Sequence, residues 1–257
     1  MTAPVVPVIT IRQVGLLRPL AWLAAGWQDL TAHPGPSLMY GLLVTLAGWA
    51  IVTLAAPHAE LFTTVISGFV LIAPLIAAGI YELTRQREAG QPASFLGSLK
   101  SLRRNAGSIA DYGIVLLLAG LLWERVAAVM FALSYGGEMG TVTDFVRDVF
   151  LSGKYVGVVV AWAVTGGVLA SVVFAVTVVG MPMVIDRDAD VVTAMLTSVR
   201  TVFANLPAMV FWALLIVGLT GLGMALALVG LVLVMPLLGH ASWCAYKDLV
   251  QVETPPA

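Results

Sequence analysis

Side chains able to do chemistry are scarce in this 257-residue chain, and the few that interrupt apolar stretches stand out. Glu124 and Arg125 are the only charges between Tyr112 and Ser134. A helix entering a bilayer near Tyr112 places Glu124 twelve residues in, about 18 Å at 1.5 Å per residue and past the middle of the hydrocarbon layer. A charge at that depth costs roughly 2.5–3.5 kcal/mol even on the low insertion scale, so each of the two needs a partner. Adjacent residues point about 100° apart on a helix, so the pair is not expected to satisfy itself. His240, Glu60 and the acidic loop 138–148 are the available partners. Three readings stay open: a polar clamp between helices, a substrate or proton path, and a span that ends early and leaves both charges at the outer interface.

His240 lies seven residues before Lys247, about 10 Å inside the membrane boundary at the same rise. A lone histidine there is expected to hydrogen-bond a neighbouring helix and not to hold a metal. The other histidines, His33 and His58, fall outside the spans, too few for haem or multi-histidine copper ligation. Asp186-Arg-Asp-Ala-Asp190 imitates the start of a calcium loop. The required Gly is Val191 and the required Glu is Thr197, so the loop fails. Asp188 and Asp190 are better read as caps for the helix that follows. One cysteine, Cys244, rules out an internal disulfide and a thiolate metal cage, and reads as a packing thiol at the membrane edge. Nucleophile elbow, phosphate-binding loop and HExxH motifs do not occur in the chain. No cofactor, no metal site and no enzymatic activity are expected.

The elements that must position these residues are membrane helices. The chain is 60% hydrophobic and 11% charged, with mean hydropathy +0.99, against about 25% charge in soluble domains. A net charge of −1 gives no reason to expect nucleic acid. Arg12 and Arg18 follow the mildly apolar start instead of preceding a long apolar core, so no signal peptide is expected. Residues 1–16, with Pro4 and Pro7, read as an irregular tail. Spans are expected at 37–56, 61–84, 111–134 and 155–185, with two more sharing the 46 residues without charge between Arg200 and Lys247. The turn dividing that last stretch should fall near Gly221 to Gly230. Between the spans lie three amphipathic stripes. Trp22, Leu23, Gly26, Trp27 and Leu30 form one, with Gln28 and Asp29 elsewhere on the wheel. Phe95, Leu96, Leu99 and Leu102 form the second. Val192, Met195, Leu196, Val199, Val202 and Phe203 form the third, with Thr193, Thr197, Ser198, Arg200 and Thr201 mostly opposite. Such helices are expected to lie at the headgroup level, and the tryptophans at the membrane interfaces.

The order amphipathic helix, span, span occurs three times. Gly68-Phe-Val-Leu-Ile-Ala-Pro74-Leu-Ile returns as Gly230-Leu-Val-Leu-Val-Met-Pro236-Leu-Leu, and Leu96, Ser98 and Asn105 return as Leu196, Ser198 and Asn205. These matches predict one membrane domain over 1–257 built as a threefold repeat, with units near 17–84, 93–185 and 190–248. Pro74, Pro182 and Pro236 fall in the second span of each unit and are expected to kink it. With six spans, Arg12, Arg18, Arg85, Arg87, Lys100, Arg103, Arg104, Arg187, Arg200 and Lys247 share one side, ten of the thirteen basic residues. That side, with both termini and all three amphipathic helices, is expected to be cytoplasmic.

Gly26-Trp-Gln-Asp-Leu30, Pro34-Gly-Pro-Ser-Leu-Met-Tyr-Gly41, Met181-Pro-Met-Val-Ile-Asp-Arg-Asp188, Thr193-Ala-Met-Leu-Thr-Ser-Val-Arg200 and Pro236-Leu-Leu-Gly-His-Ala-Ser-Trp243 resemble a family of proteobacterial integral membrane proteins known only as a domain of unknown function. The resemblance extends over roughly 20–250 and implies an inner-membrane location and six spans. It implies no activity and transfers no functional residue. The expected fold is therefore an all-α membrane protein with six transmembrane helices and three cytoplasmic interfacial helices. The expected function is a non-enzymatic accessory or scaffold protein whose partners are the lipid bilayer and other membrane proteins. The alternative is a transporter or channel for a small or lipid-like solute, built around the proline breaks.

Overall fold

A computed structural model describes the backbone of residues 8–55, 59–134, 146–187 and 189–253, and the side chains within these apart from those of 8, 55, 59–72, 74 and 252–253. The elements run β1 (Val8–Ile11), α1 (Arg18–Ala32), α2 (Pro34–Ala55), α3 (Ala59–Glu88), α4 (Phe95–Leu102) and α5 (Ala106–Ser134). After a single π-helical turn, Arg147–Leu151, come α6 (Val156–Thr177), α7 (Gly180–Arg187), α8 (Val191–Ala204), α9 (Leu206–Ala225), α10 (Leu231–Leu249) and β2 (Val250–Glu253). Among the described residues, four helical stretches are long and apolar enough to cross a bilayer: Pro34–Leu54, Phe95–Ser134, Val156–Arg187 and Leu206–Ala225.

One expectation is corrected at the start of the chain. Residues 8–11 are not irregular tail but a strand, paired antiparallel with 250–253 so that Val8 faces Glu253 and Ile11 faces Val250. Alternation of apolar and polar residues in Val-Ile-Thr-Ile and Val-Gln-Val-Glu suits a short ribbon, which ties the two ends of the chain together.

The core is made where α3, α7 and α10 meet. Residues 77–84, 177–185 and 238–243 are each buried without interruption. Small residues permit the approach: a Cβ on Gly239 would sit 2.7 Å from the Ile80 side chain, and one on Gly26 would sit 2.7 Å from the Ala241 backbone. Around this centre the packing is cyclic. α4 lies against α3, α8 lies against α6 and α7, and α1 closes the ring by lying against α10. The long helices α2 and α5 also pack on α10 and α3 respectively. α9 departs from this pattern and packs on α10 and α1.

In the second and third amphipathic helices the hydroxyl side faces the protein and much of the apolar stripe faces outward. In α8 the buried residues are Ala194, Thr197, Ser198, Thr201 and Val202, while Val192, Leu196 and Phe203 are exposed. In α4, Ser98 is buried and Leu96 and Leu99 are exposed. The polar side is inward because small hydroxyls allow close helix contact and supply hydrogen bonds to a neighbouring backbone. α1 differs again: Trp22, Gly26, Asp29 and Leu30 form its buried face, so a carboxylate belongs to the stripe and Trp27 does not. Several tryptophans pack inside the protein. Trp22, Trp123, Trp212 and Trp243 are buried, with Trp22 edge-on to Trp212 at 5.8 Å.

Candidate functional site

Backbone groups freed by the helix breaks come first, because an unpaired carbonyl or amide is the costliest local defect in a bilayer. α6 ends at Thr177 and α7 begins at Gly180, so the chain breaks just before Pro182. Three side chains from other elements cover this break: Ser198 Oγ accepts from the Val179 N–H at 3.1 Å, Tyr112 Oη donates to the Val176 carbonyl at 3.2 Å, and Asn105 donates to the Val184 carbonyl at 2.9 Å. The second break, between α9 and α10, falls at Leu226–Gly230 as the glycine density suggested. Ala227 and Leu228 there have positive φ, and Trp49 and Thr45 of α2 donate to their carbonyls at 2.7 and 3.2 Å. Pro236 has no N–H for the Val232 carbonyl, and Gly41 of α2 packs against that oxygen so closely that a Cβ would lie 2.0 Å from it. α3 continues through Pro74 and α10 through Pro236, so of the three prolines Pro182 alone adjoins a break. The repeated motif also differs in use: Gly68 is inside α3, whereas Gly230 caps α10. Among the other glycines, Gly166 meets Trp123, and Gly223 meets Gly230, while Gly167 and Gly221 have open space.

His240 is buried, as expected, and both its ring nitrogens are engaged. Nε2 lies 2.9 Å from Ser37 Oγ and Nδ1 lies 2.6 Å from Thr84 Oγ1. The hydroxyls come from α2 and α3, so the histidine ties three helices together. Next to it, Glu82 is 1% exposed and accepts from both Arg85 Nε and Nη2, at 2.6 and 2.7 Å, and from Gln86 at 3.0 Å. Asp29 pairs with Arg87, and Cys244 Sγ lies 4.0 Å from its other oxygen. Tyr40 and Ser98 share a hydroxyl hydrogen bond at 2.7 Å.

At the chain ends Asp248 collects Arg12 at 2.8 Å, Arg18 at 2.6 Å and the Trp22 indole N–H at 2.9 Å. Partial burial pushes the Asp248 carboxyl up, but the hydrogen bonds from Arg18 and Trp22 and the charges of Arg18 and Arg12 outweigh it and hold the group below the usual range. Asp186 accepts from Tyr246 at 2.8 Å and pairs with Lys247 at 3.3 Å, and Glu88 accepts from Trp243 at 2.9 Å. Asp190 caps α8 through the Thr193 N–H at 2.9 Å, and hydrogen bonds from Thr193 hold its carboxyl low. This is the role expected from sequence, although Asp188 lies outside the described residues.

Glu124 and Arg125 behave differently from the expectation. They pair with each other, Nε to Oε2 at 3.2 Å, and not with His240. The Arg125 side chain is 79% exposed and that of Glu124 24%, so the pair is on the outward face of α5 near the Trp123–Trp162 contact. Long flexible side chains bend enough to meet across the 100° between neighbours when the outer one is free of packing. His58 and residues 138–145 lie outside the described residues, as do the side chains of Glu60 and Pro74.

The structure therefore does not bring the sequence candidates together. Glu124 and Arg125 do not bond to His240, and neither its partners Ser37 and Thr84 nor the separately paired Glu82, Asp29 and Tyr40 were singled out from sequence. Glu82 and Asp29 had a signal: each is a lone acid on a helix face otherwise apolar. Among the described residues no cluster of three or more histidine, cysteine or acidic side chains could hold a metal ion.

Residues 61–186 match the family model described as Predicted integral membrane protein (DUF2189). This is the kind of family the sequence resembled, an integral membrane protein domain of unknown function. The match is narrower than expected: it spans α3 to α7, and most of the motif stretches quoted for the resemblance lie outside it. No curated protein and no solved structure matches the chain.

Proposed function

We propose, from the premise that residues 61–186 carry an integral membrane domain of this family, that the protein is a non-enzymatic accessory or scaffold protein of a bacterial inner membrane. The supporting observation concerns four acidic and histidine side chains that are buried or nearly so. His240, Glu82, Asp29 and Asp248 all have partners within the chain. Two surface hollows, one beside Ile9 and Arg200 and one beside Arg147 and Leu151, are lined by neither His240 nor Glu124 nor Arg125.

In this reading the chain crosses the membrane six times. α3 and α10 add to the four apolar stretches, and strand pairing between the chain ends supports an even number of crossings with both termini cytoplasmic. Cyclic packing of α1, α4 and α8 on the helices of the preceding units supports a threefold repeat. The transporter alternative draws its weight from the break before Pro182, which would have to open toward a central site.

Crosslinking in the native membrane followed by gentle purification tests the proposal. A stoichiometric membrane-protein partner is the expected result. Recovery of the chain alone, together with solute flux in reconstituted vesicles, would overturn it in favour of transport. Labelling of single cysteines placed at residues 14 and 251, from one side only and the same side for both, checks the topology.

A further inference from the structure

We propose that the outward faces of α4 and α8 are equivalent binding sites for anionic phospholipid, with Lys100 and Arg200 holding the headgroup phosphate. The inference rests on the six-span reading, which places both helices at one leaflet. Three observations carry it. First, both helices turn hydroxyls inward and leucines outward: Ser98 and Ser198 are fully buried, while Leu96 and Leu196 are 76% and 52% exposed. An apolar face flanked by cations is what a headgroup boundary accommodates.

Second, nine of the ten cations of this face divide into two sets. Arg12, Arg18, Arg85, Arg87, Arg187 and Lys247 are paired with Asp248, Glu82, Asp29, Asp186 or Glu88. Lys100, Arg103 and Arg200 are exposed and have no carboxylate partner among the described residues. The acids nearest the core are already taken, so these three charges remain for a ligand outside the chain.

Third, at α8 a hollow of about 180 Å³ lies between the helix and β1, lined by Ile9, Ile11, Thr193, Leu196, Thr197 and Arg200. Isoleucines and a leucine beside one guanidinium and threonine hydroxyls match the start of an acyl chain beneath a glycerol phosphate. A soluble anion would use only the guanidinium and leave the apolar wall bare.

The test uses the full chain in nanodiscs of phosphatidylcholine with and without phosphatidylglycerol, followed by native mass spectrometry of the lipid that stays bound. The wild type should retain phosphatidylglycerol over phosphatidylcholine. R200Q and K100Q should each lower that preference about fivefold, and R200K should keep most of it. R125Q, at the other end of the molecule, should leave it unchanged. Equal retention of the two lipids by the wild type, or an unchanged ratio in the R200Q/K100Q double variant, would overturn the proposal. So would stabilisation by inorganic phosphate equal to that by the lipid. If R200Q fails to fold, K100Q and R200K still decide. Seating in the leaflet is measured separately, with a bimane on Leu196→Cys in a Cys244→Ala background and brominated phosphatidylcholine as quencher. Quenching without lipid preference overturns the phosphate assignment alone, whereas no quenching overturns the topology beneath it.

Discussion

Two ion pairs in this molecule show what burial does to a charge. Glu82–Arg85 is on α3, with the carboxylate 1% exposed and three donated hydrogen bonds filling its oxygens. Glu124–Arg125 is on α5, with one ion-pair contact among the described residues and an arginine 79% exposed. Both interrupt apolar helices. The first is bound into the core by Gln86, while the second leaves its guanidinium in the open. A charge pair inside a bundle acts as structure only when neighbours complete its hydrogen bonding; otherwise its worth falls to that of a surface pair.

The largest test of this contrast is Arg85→Ala against Arg125→Ala. Leaving the Glu82 carboxylate buried without its guanidinium should cost about 3–5 kcal/mol, whereas the second change should cost about 1 kcal/mol or less. Unfolding in mixed micelles would read both, and similar losses would erase the distinction. Next come the glycines. Gly41→Ala pushes a Cβ into the Val232 carbonyl and should cost about 1–3 kcal/mol, while Gly167→Ala meets nothing within 4 Å and should be near neutral. Thermal melts of the two variants decide whether α2 and α10 are packed as closely as they look.

Thr84→Val removes one of the two hydroxyls on His240 and leaves a ring nitrogen buried without a partner, a loss of about 1–3 kcal/mol. Arg125→Gln should not move the same melt, since that network ends well short of α5. The smallest effect concerns acid. The Asp248 carboxyl is held below its ordinary value, so its contribution is complete above the unfolded value of about 4 and is lost as pH falls through the folded one. Asp248→Asn should therefore flatten the acid limb of the stability profile. An identical acid limb in that variant would remove Asp248 as its source.

Much of the framework could be read directly from the chain. Long uncharged stretches, the divide near Gly230, the Asp190 cap and a buried hydrogen-bonded His240 follow from hydropathy, glycine placement and the cost of an unpaired polar group. Facing was not legible in this way. Periodicity shows that α8 has an apolar and a hydroxyl side, but in a membrane both sides have a suitable neighbour, lipid for one and a carbonyl-rich helix break for the other. The hydroxyl side turns inward because Ser198 meets the Val179 amide at a break that lies 19 residues away in the chain.

What the sequence alone determined is thus the membrane class and the approximate position of each helix, because these depend on local composition along the chain. Tertiary structure decided the partners: Asp29 with Arg87, Asp248 with Arg12 and Arg18, and β1 with β2. These join residues up to 245 positions apart, and such pairings arise from the cyclic packing of helices, which no local pattern encodes.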